Sequence, residues 1–343
     1  MDIDISHITL PDNFHAITDF YVPEDAIEYS ILYPGPIETI NYPDFTDIIQ
    51  FIADKAKEKT SKKREFSLEL KHEGKRILLR GHYITSTEGK VYIFRRLPSY
   101  VPRIEDLGIQ SNILELLLHE RLNSGGLVII AGETGQGKST TAAATIAYRL
   151  RTFGSFCLTI EDPVEMPLQG FYENEKDANK KGVCFQTNVE GDEIFDAIKS
   201  SLRCYPSVSN SILFLGETRD SIMASEVLKI AANGHLVVTT LHGSDLMTAL
   251  KRFLSLAIST GNTSESDVKS MFASVFRLMI HQKMEKVLGK KKIKQQILFS
   301  PGAASPVASR LRTGSLENLS TEIQNQNMIL TKGISLIQSL NQH

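Results

Sequence analysis

The 343-residue sequence contains no tryptophan, three cysteines and 12 prolines, and its formal net charge is only −2. Each shortage excludes something. Cys157, Cys184 and Cys204 are widely spaced, odd in number and form no C-x-x-C pair, which argues against a disulfide framework and a structural zinc. Cys157 lies in an apolar run and reads as core. A near-neutral chain is not, as a whole, an electrostatic nucleic-acid binder. The opening residues, MDIDISHITLPDNF, are acidic and carry no apolar stretch of the secretory-signal kind. The longest purely apolar run is about five residues, far short of the ~20 that a membrane span needs. A soluble, cytoplasmic protein is expected. What is present is an ordinary 41% of hydrophobic residues, in a chain long enough for a sizeable core and two domains.

Two patterns divide the chain. In residues 1–97, Asp44 to Thr60 carries a helical apolar stripe at Phe45, Ile48, Ile49, Ile52 and Ala56. Glu65 to Lys71, Arg76 to Thr85 and Lys90 to Leu97 read as strands joined by turns at His72-Glu73-Gly74 and Thr87-Glu88-Gly89. Residues 98–110 form a linker that opens with Pro98 and Pro102. From 111 to 264 strands alternate with helices. Apolar strands at 127–131, 156–160, 211–215 and 236–241 are each followed by a helical segment or a stop signal, the pattern of a parallel sheet covered on both faces. Residues 265–343 read as mainly helical, with a helix at 267–284, a hairpin around Gly289-Lys290, a loop at 300–309 and a helix at 316–340. The basic runs at 55–64 and 290–294 read as solvated turns and helix ends.

GETGQGKS, from Gly132 to Ser139, fits the P-loop pattern G-x-x-x-x-G-K-[ST] without a mismatch, between a buried strand and an Ala-rich helix. Gly132, Gly135 and Gly137 let the backbone curl so that N–H groups, with those of Thr134 and Thr140, face a phosphate chain at a helix N-terminus. Lys138 is placed to reach the β- and γ-phosphates, and the Ser139 hydroxyl to ligate Mg²⁺. Ligands in such sheets bind at the carboxyl ends of strands, and these strands end in polar groups: Glu161-Asp162, Glu217 and His242. Glu217, beside the P-loop strand, is the candidate water-polarising carboxylate. Glu161 and Asp162 could equally cap or pair. His235 and His242 are candidate sensors of the γ-phosphate, and Arg219-Asp220 reads as a local ion pair.

GETGQGKSTT, TIEDPVE (159–165), ILFLGETRD (212–220) and NGHLVVTTLH (233–242), in that order, resemble the nucleotide-binding core of the PilT/DotB group of secretion ATPases, which power type IV pili and type IV secretion. The resemblance covers Ile104 to about Leu256 and extends to LRG (79–81) and FRRLP (94–98). It implies a RecA-like P-loop ATPase core with a parallel sheet, preceded by a smaller α+β, PAS-like domain, and assembly into a homohexamer. It implies that Glu217 is the catalytic Walker B glutamate and that Glu161 assists with water and Mg²⁺. His242, and with less support His235, would couple the γ-phosphate to subunit movement, and Arg80 and Arg95 would reach a nucleotide across a subunit boundary. ATP and Mg²⁺ are the implied cofactors. The implied partners are inner-membrane platform or secretion-channel proteins, with no direct nucleic acid. The tetracysteine module of the pilus-extension branch is absent, and the retraction motif is vestigial in Ala308 to Gly314, which shifts weight towards conjugation or effector secretion. A RecA-like nucleic-acid motor would need a basic, aromatic-lined channel. A nucleotide-gated assembly factor without turnover is the third reading.

Overall fold

Alternating apolar residues and short turns set the N-terminal sheet. The computed structural model describes residues 3–33, 42–60, 64–174, 177–189, 193–206, 210–261, 263–287, 290–314 and 316–337. It divides into two compact units, Met1–Tyr100 and Val101–His343. The first unit holds β1 (Ile3–Asp4), β2 (Asp19–Pro23), β3 (Ile31–Tyr33), β4 (Glu65–His72), β5 (Lys75–Ser86) and β6 (Gly89–Leu97), in the order β1-β4-β5-β6-β2-β3. β4, β5 and β6 form the two antiparallel hairpins read from the sequence. The tight turn between the first two puts Glu73 and Gly74 in the left-handed region, at φ 48° and 79°. Helix α1 (Thr46–Thr60) buries Ile48, Ile49, Ile52 and Ala56 in a core shared with Leu68, Leu79 and Phe94. β1, β2 and β3 escape a periodicity reading because they are only two to five residues long.

The second unit is a doubly covered sheet. Its strands are β7 (Gly126–Ala131), β8 (Phe156–Glu161), β9 (Gly170–Glu173), β10 (Lys181–Asn188), β11 (Ser211–Leu215), β12 (Leu236–Leu241), β13 (Phe276–Val287) and β14 (Lys290–Phe299), in the order β14-β13-β7-β12-β11-β8-β10-β9. All pairings from β13 to β10 are parallel, and the edge strands β14 and β9 run antiparallel. Because successive side chains on a strand alternate, Leu127, Ile129 and Ala131 of β7 enter one core while Val128 and Ile130 enter the other. The first core is closed by α4 (Glu193–Ser201), α5 (Ser221–Ala232), α6 (Leu246–Ile258), α7 (Glu265–Val275) and α8 (Pro306–Thr313). The second is closed by α2 (Ser111–Leu118) and α3 (Lys138–Phe153), and α9 (Glu317–Thr331) serves both, with Leu319 and Ile323 in the first core and Leu330 in the second.

The structure corrects the reading of residues 265–343 as a mainly helical region beyond the core. The helix expected over 267–284 stops at Val275, and the chain turns into β13, which pairs with the P-loop strand itself. Leu278 and Ile280 face one core, Phe276 and Met279 the other. A strand buried on both faces shows no alternation, and Phe272, Phe276 and Met279 imitate a helical spacing. The turn at Gly289 lies outside the described residues, as do the last residues of the helix expected to reach 340; α9 ends at Thr331. Two further strands, β9 and β10, were absent from the sequence reading. Helix α2 ends at Leu118 and is followed by a 3₁₀ turn, Glu120–Ser124.

Candidate functional site

The P-loop takes its shape from glycines and from β13. Gly135 and Gly137 adopt φ of 77° and 76°, left-handed values that other residues reach only with strain. A Cβ on Gly132 would stand 2.5 Å from the carbonyl oxygen of Gln282. Gln282, 1% exposed on β13, is the functional residue that the sequence reading missed. Its Nε2 donates to the Gln136 carbonyl at 2.5 Å, and its Oε1 accepts from the Thr141 hydroxyl at 2.9 Å. The Gln136 side chain answers by accepting from the Met284 N–H at 2.5 Å. The loop is thus clamped at its tip and at the first turn of α3. Between His281 and Lys283 Gln282 carries no signal of its own in the sequence, and only the strand that holds it reveals its place.

Lys138 opens α3 and is 8% exposed; its Nζ donates to the Glu133 carbonyl at 2.8 Å. Burial pulls its pKa below the usual lysine value, while Glu217 and Glu165 pull the other way. Ser139 and Thr140 follow in the first turn, half-buried, and Thr134 and Gly135 form the exposed tip.

Parallel pairing puts the ends of β12, β11 and β8 side by side, and the sequence-predicted groups meet there. Glu217 Oε1 is 3.0 Å from His242 Nε2, and Glu217 Oε2 accepts from Arg219 Nε at 2.8 Å. Arg219 continues to Asp162, donating to its carbonyl at 3.0 Å and pairing with its carboxylate at 3.5 Å. The expected Arg219–Asp220 pair does not form: Asp220 caps α5 by accepting from the Met223 N–H. Burial holds the His242 imidazole below the ordinary histidine value; Lys138 adds to that and Glu217 opposes it. Glu161, 4% exposed, accepts from Gln186 Nε2 at 2.9 Å, and burial lifts its carboxyl to about 7. Gly216 makes room for it, since a Cβ there would lie 3.1 Å from Glu161 Cγ.

His235 does not join this group. It precedes β12, at the amino end of the sheet, a strand length of about 20 Å from His242; its ring packs 4.4 Å from that of Tyr205, and Nδ1 meets the Ser211 hydroxyl. Arg80 and Arg95 belong to the N-terminal unit, facing each other in register on β5 and β6, with Arg95 Nε 2.8 Å from Asp19. Within the second unit, Lys138, Ser139, Glu161, Glu217 and His242 form one constellation at the strand ends. It offers a phosphate cradle, a buried lysine and two carboxylates, one buried at Glu161 and one paired with Arg219 and His242 at Glu217.

The family model of the type II/IV secretion system protein matches residues 52–340. The chain is 31% identical over 251 residues to the uncharacterized Escherichia coli protein YggR, covering 72% of this chain and 69% of that one. It is 32% identical over 199 residues to the type IV pilus retraction ATPase PilT of Pseudomonas aeruginosa, covering 57% of this chain and 52% of PilT. The chain therefore spans about half the length of that pilus relative. Its fold matches the crystal structure of the pilus retraction motor PilT with bound ADP, at a TM-score of 0.69 and 22% identity over 90% of this chain and 85% of that one.

Proposed function

Since the chain belongs to the type II/IV secretion system protein family, the secretion and pilus ATPases akin to PilT and DotB, we propose that it hydrolyses ATP with Mg²⁺ as a homohexameric ring and drives a type IV secretion, conjugation or pilus machine. The observation that carries this reading is the meeting of Glu217 with His242 at the strand ends beside the P-loop. Gly132, Thr134, Gly135, Gly137 and Thr140 line the phosphate chain through backbone N–H groups, and Lys138 neutralises the β- and γ-phosphates. The Ser139 hydroxyl, in the first turn of α3, is the group that would hold Mg²⁺, which supplies charge neutralisation to the phosphates when bound. Glu217, fixed by Arg219 Nε at 2.8 Å, orients water and takes its proton. His242 senses the γ-phosphate through its contact with Glu217. Glu161, buried and with a raised pKa, holds or relays a proton behind that water. Arg80 and Arg95 complete the site of a neighbouring subunit.

Among the described residues no helix is long and apolar enough to cross a membrane. The proposed working place is the cytoplasmic face of the inner membrane, reached through platform or channel proteins, with the N-terminal unit serving as the PAS-like module. The test is a subunit-mixing experiment. Glu217→Gln alone lowers turnover about 10²-fold or more while ATP still binds, and Arg80→Ala alone also loses activity. Mixed, the two recover turnover, because some interfaces pair an intact arginine with an intact glutamate. Normal turnover by Glu217→Gln removes the assignment of the base. Failure of mixtures to recover, together with activity per chain that is flat down to monomer concentrations, removes the ring.

A further inference from the structure

The inner face of the N-terminal sheet gathers cations that the proposed ATPase chemistry does not use. Side chains alternate along β6, so Arg96 points away from the face that carries Arg95 and shares the side of Tyr92 and Phe94, both buried in the core. Arg96 lies opposite Leu79 on β5, and Lys75 occupies the same face near the start of that strand. The 3₁₀ turn Asp12–Ala16 closes over this end. Arg96 Nη1 donates to the carbonyl oxygens of His15 at 2.5 Å and Phe14 at 3.4 Å, Nη2 lies 3.2 Å from His15 Nδ1, and the guanidinium stands 5.8 Å from the Phe14 ring. His15, Lys75, Arg76, Arg96 and Ser99 line an open cavity of about 400 Å³.

The lining has three permanent cations and no carboxylate. Arg76 is balanced by Glu69 at 2.9 Å. Among the described residues, Arg96 meets only neutral acceptors, and Lys75 forms no ion pair. The His15 imidazole is held below the ordinary histidine value by burial first and then by Arg96, Lys75 and His72, as a positive field requires. The nearby carboxylates, Asp12 and Glu73, line an adjoining cleft that shares His15 and Lys75.

We propose that this cavity binds the phosphate group of a small phosphorylated ligand. A planar guanidinium held in place by two carbonyls, an exposed ammonium, an imidazole and a hydroxyl suit a dianionic oxyanion with several acceptor oxygens. The cavity is several times the volume of a phosphate, which leaves room for an attached group. A free phosphoester and a lipid headgroup present the same chemistry. Lys75 and Arg96 lie on the opposite face of the hairpin from Arg80 and Arg95, and Arg76, which shares the face of Arg80, is already paired with Glu69.

The probes are inorganic phosphate and pyrophosphate, titrated at constant ionic strength into the full chain carrying Lys138→Ala, which weakens the P-loop's own contribution. Binding is followed by calorimetry and by the histidine NMR signals. The expected result is a site whose occupation raises the His15 pKa. Lys75→Gln weakens that site about tenfold, and Arg96→Lys, which keeps the charge, weakens it less. Sedimentation with phosphatidylglycerol and phosphatidylcholine vesicles separates the sources. Binding to the former alone that depends on Lys75 assigns a headgroup; phosphate binding without vesicle binding assigns a soluble ligand. Phosphate binding unaffected by Lys75→Gln, with His15 signals unmoved and no vesicle binding, overturns the proposal.

Discussion

Glu161→Gln is the substitution for which the structure supplies a magnitude. Glu161 is 4% exposed, and burial raises its pKa from 4.5 to about 7 despite the hydrogen bond from Gln186. Such an acid binds its proton more tightly in the folded state than in the unfolded one. Below about pH 4.5 both states hold the proton and nothing is lost. Between 4.5 and about 7 the unfolded chain ionises first, so stability falls as pH rises. Above about 7 the loss levels off at about 3 kcal/mol, the span from 4.5 to about 7 at about 1.36 kcal/mol per pH unit. Glutamine has nothing to ionise. The variant should therefore gain on the wild type by about 3 kcal/mol between pH 5 and pH 8, or about 6–12 °C in melting midpoint for a unit of this size. The assay is a melting series at unit pH steps beside steady-state ATPase rates on the same samples. A stability gain at pH 8 combined with lower turnover is the expected signature of a buried acid that serves chemistry. Wild-type and variant melting curves that run parallel from pH 5 to pH 8 would refute the raised pKa. A stabilised variant with normal turnover would refute the chemical role.

Gln282→Leu keeps the volume but removes both bonds to the P-loop, leaving the Gln136 carbonyl and the Thr141 hydroxyl without this partner. Nucleotide affinity should fall about tenfold, with overall stability lowered by about 1–3 kcal/mol; unchanged ADP affinity in a calorimetric titration would count against the clamp. Gly125→Ala places a Cβ 2.3 Å from the Gly234 carbonyl at a φ of 87°. It should destabilise the second unit by at least about 2 kcal/mol, read as a lower denaturation midpoint, since both backbone strain and a clash with main chain act there.

The legible parts of the molecule are those in which local chemistry and tertiary role coincide. The P-loop glycines, the hairpins built on β4, β5 and β6, and the strands β7, β8, β11 and β12 each carry their own pattern and stop signal. Parallel strands that end in Glu161, Glu217 and His242 imply convergence; the structure brings Glu217 to 3.0 Å from His242, while Glu161 packs against Gly216 and accepts from Gln186. His235 was grouped with His242 because they bracket one strand, yet a strand has two ends and only the carboxyl end faces the P-loop. Arg219 was paired with its neighbour in sequence, whereas Asp220 is drawn to the α5 N-terminus and Arg219 bridges Glu217 and Asp162. β13 was lost because burial on both faces erases the alternation by which strands are recognised, and Gln282 was lost with it.

The place of β13 also governs the order in which the molecule can be made. β7 lies between β12 and β13, whose first residues follow its own by about 110 and 150 positions. At translation rates of about 5–20 residues per second, the P-loop strand leaves the ribosome roughly 10–30 s before its second neighbour. Until then its edge has no ladder partner on that side, and Gln136 lacks both the amide and the N–H that fix it. Nucleotide therefore cannot serve as an early template for this domain. The loop that would grip it is finished by nearly the last strand to be synthesised, so a chain cut short before residue 276 carries the whole phosphate-binding motif without the strand that shapes it.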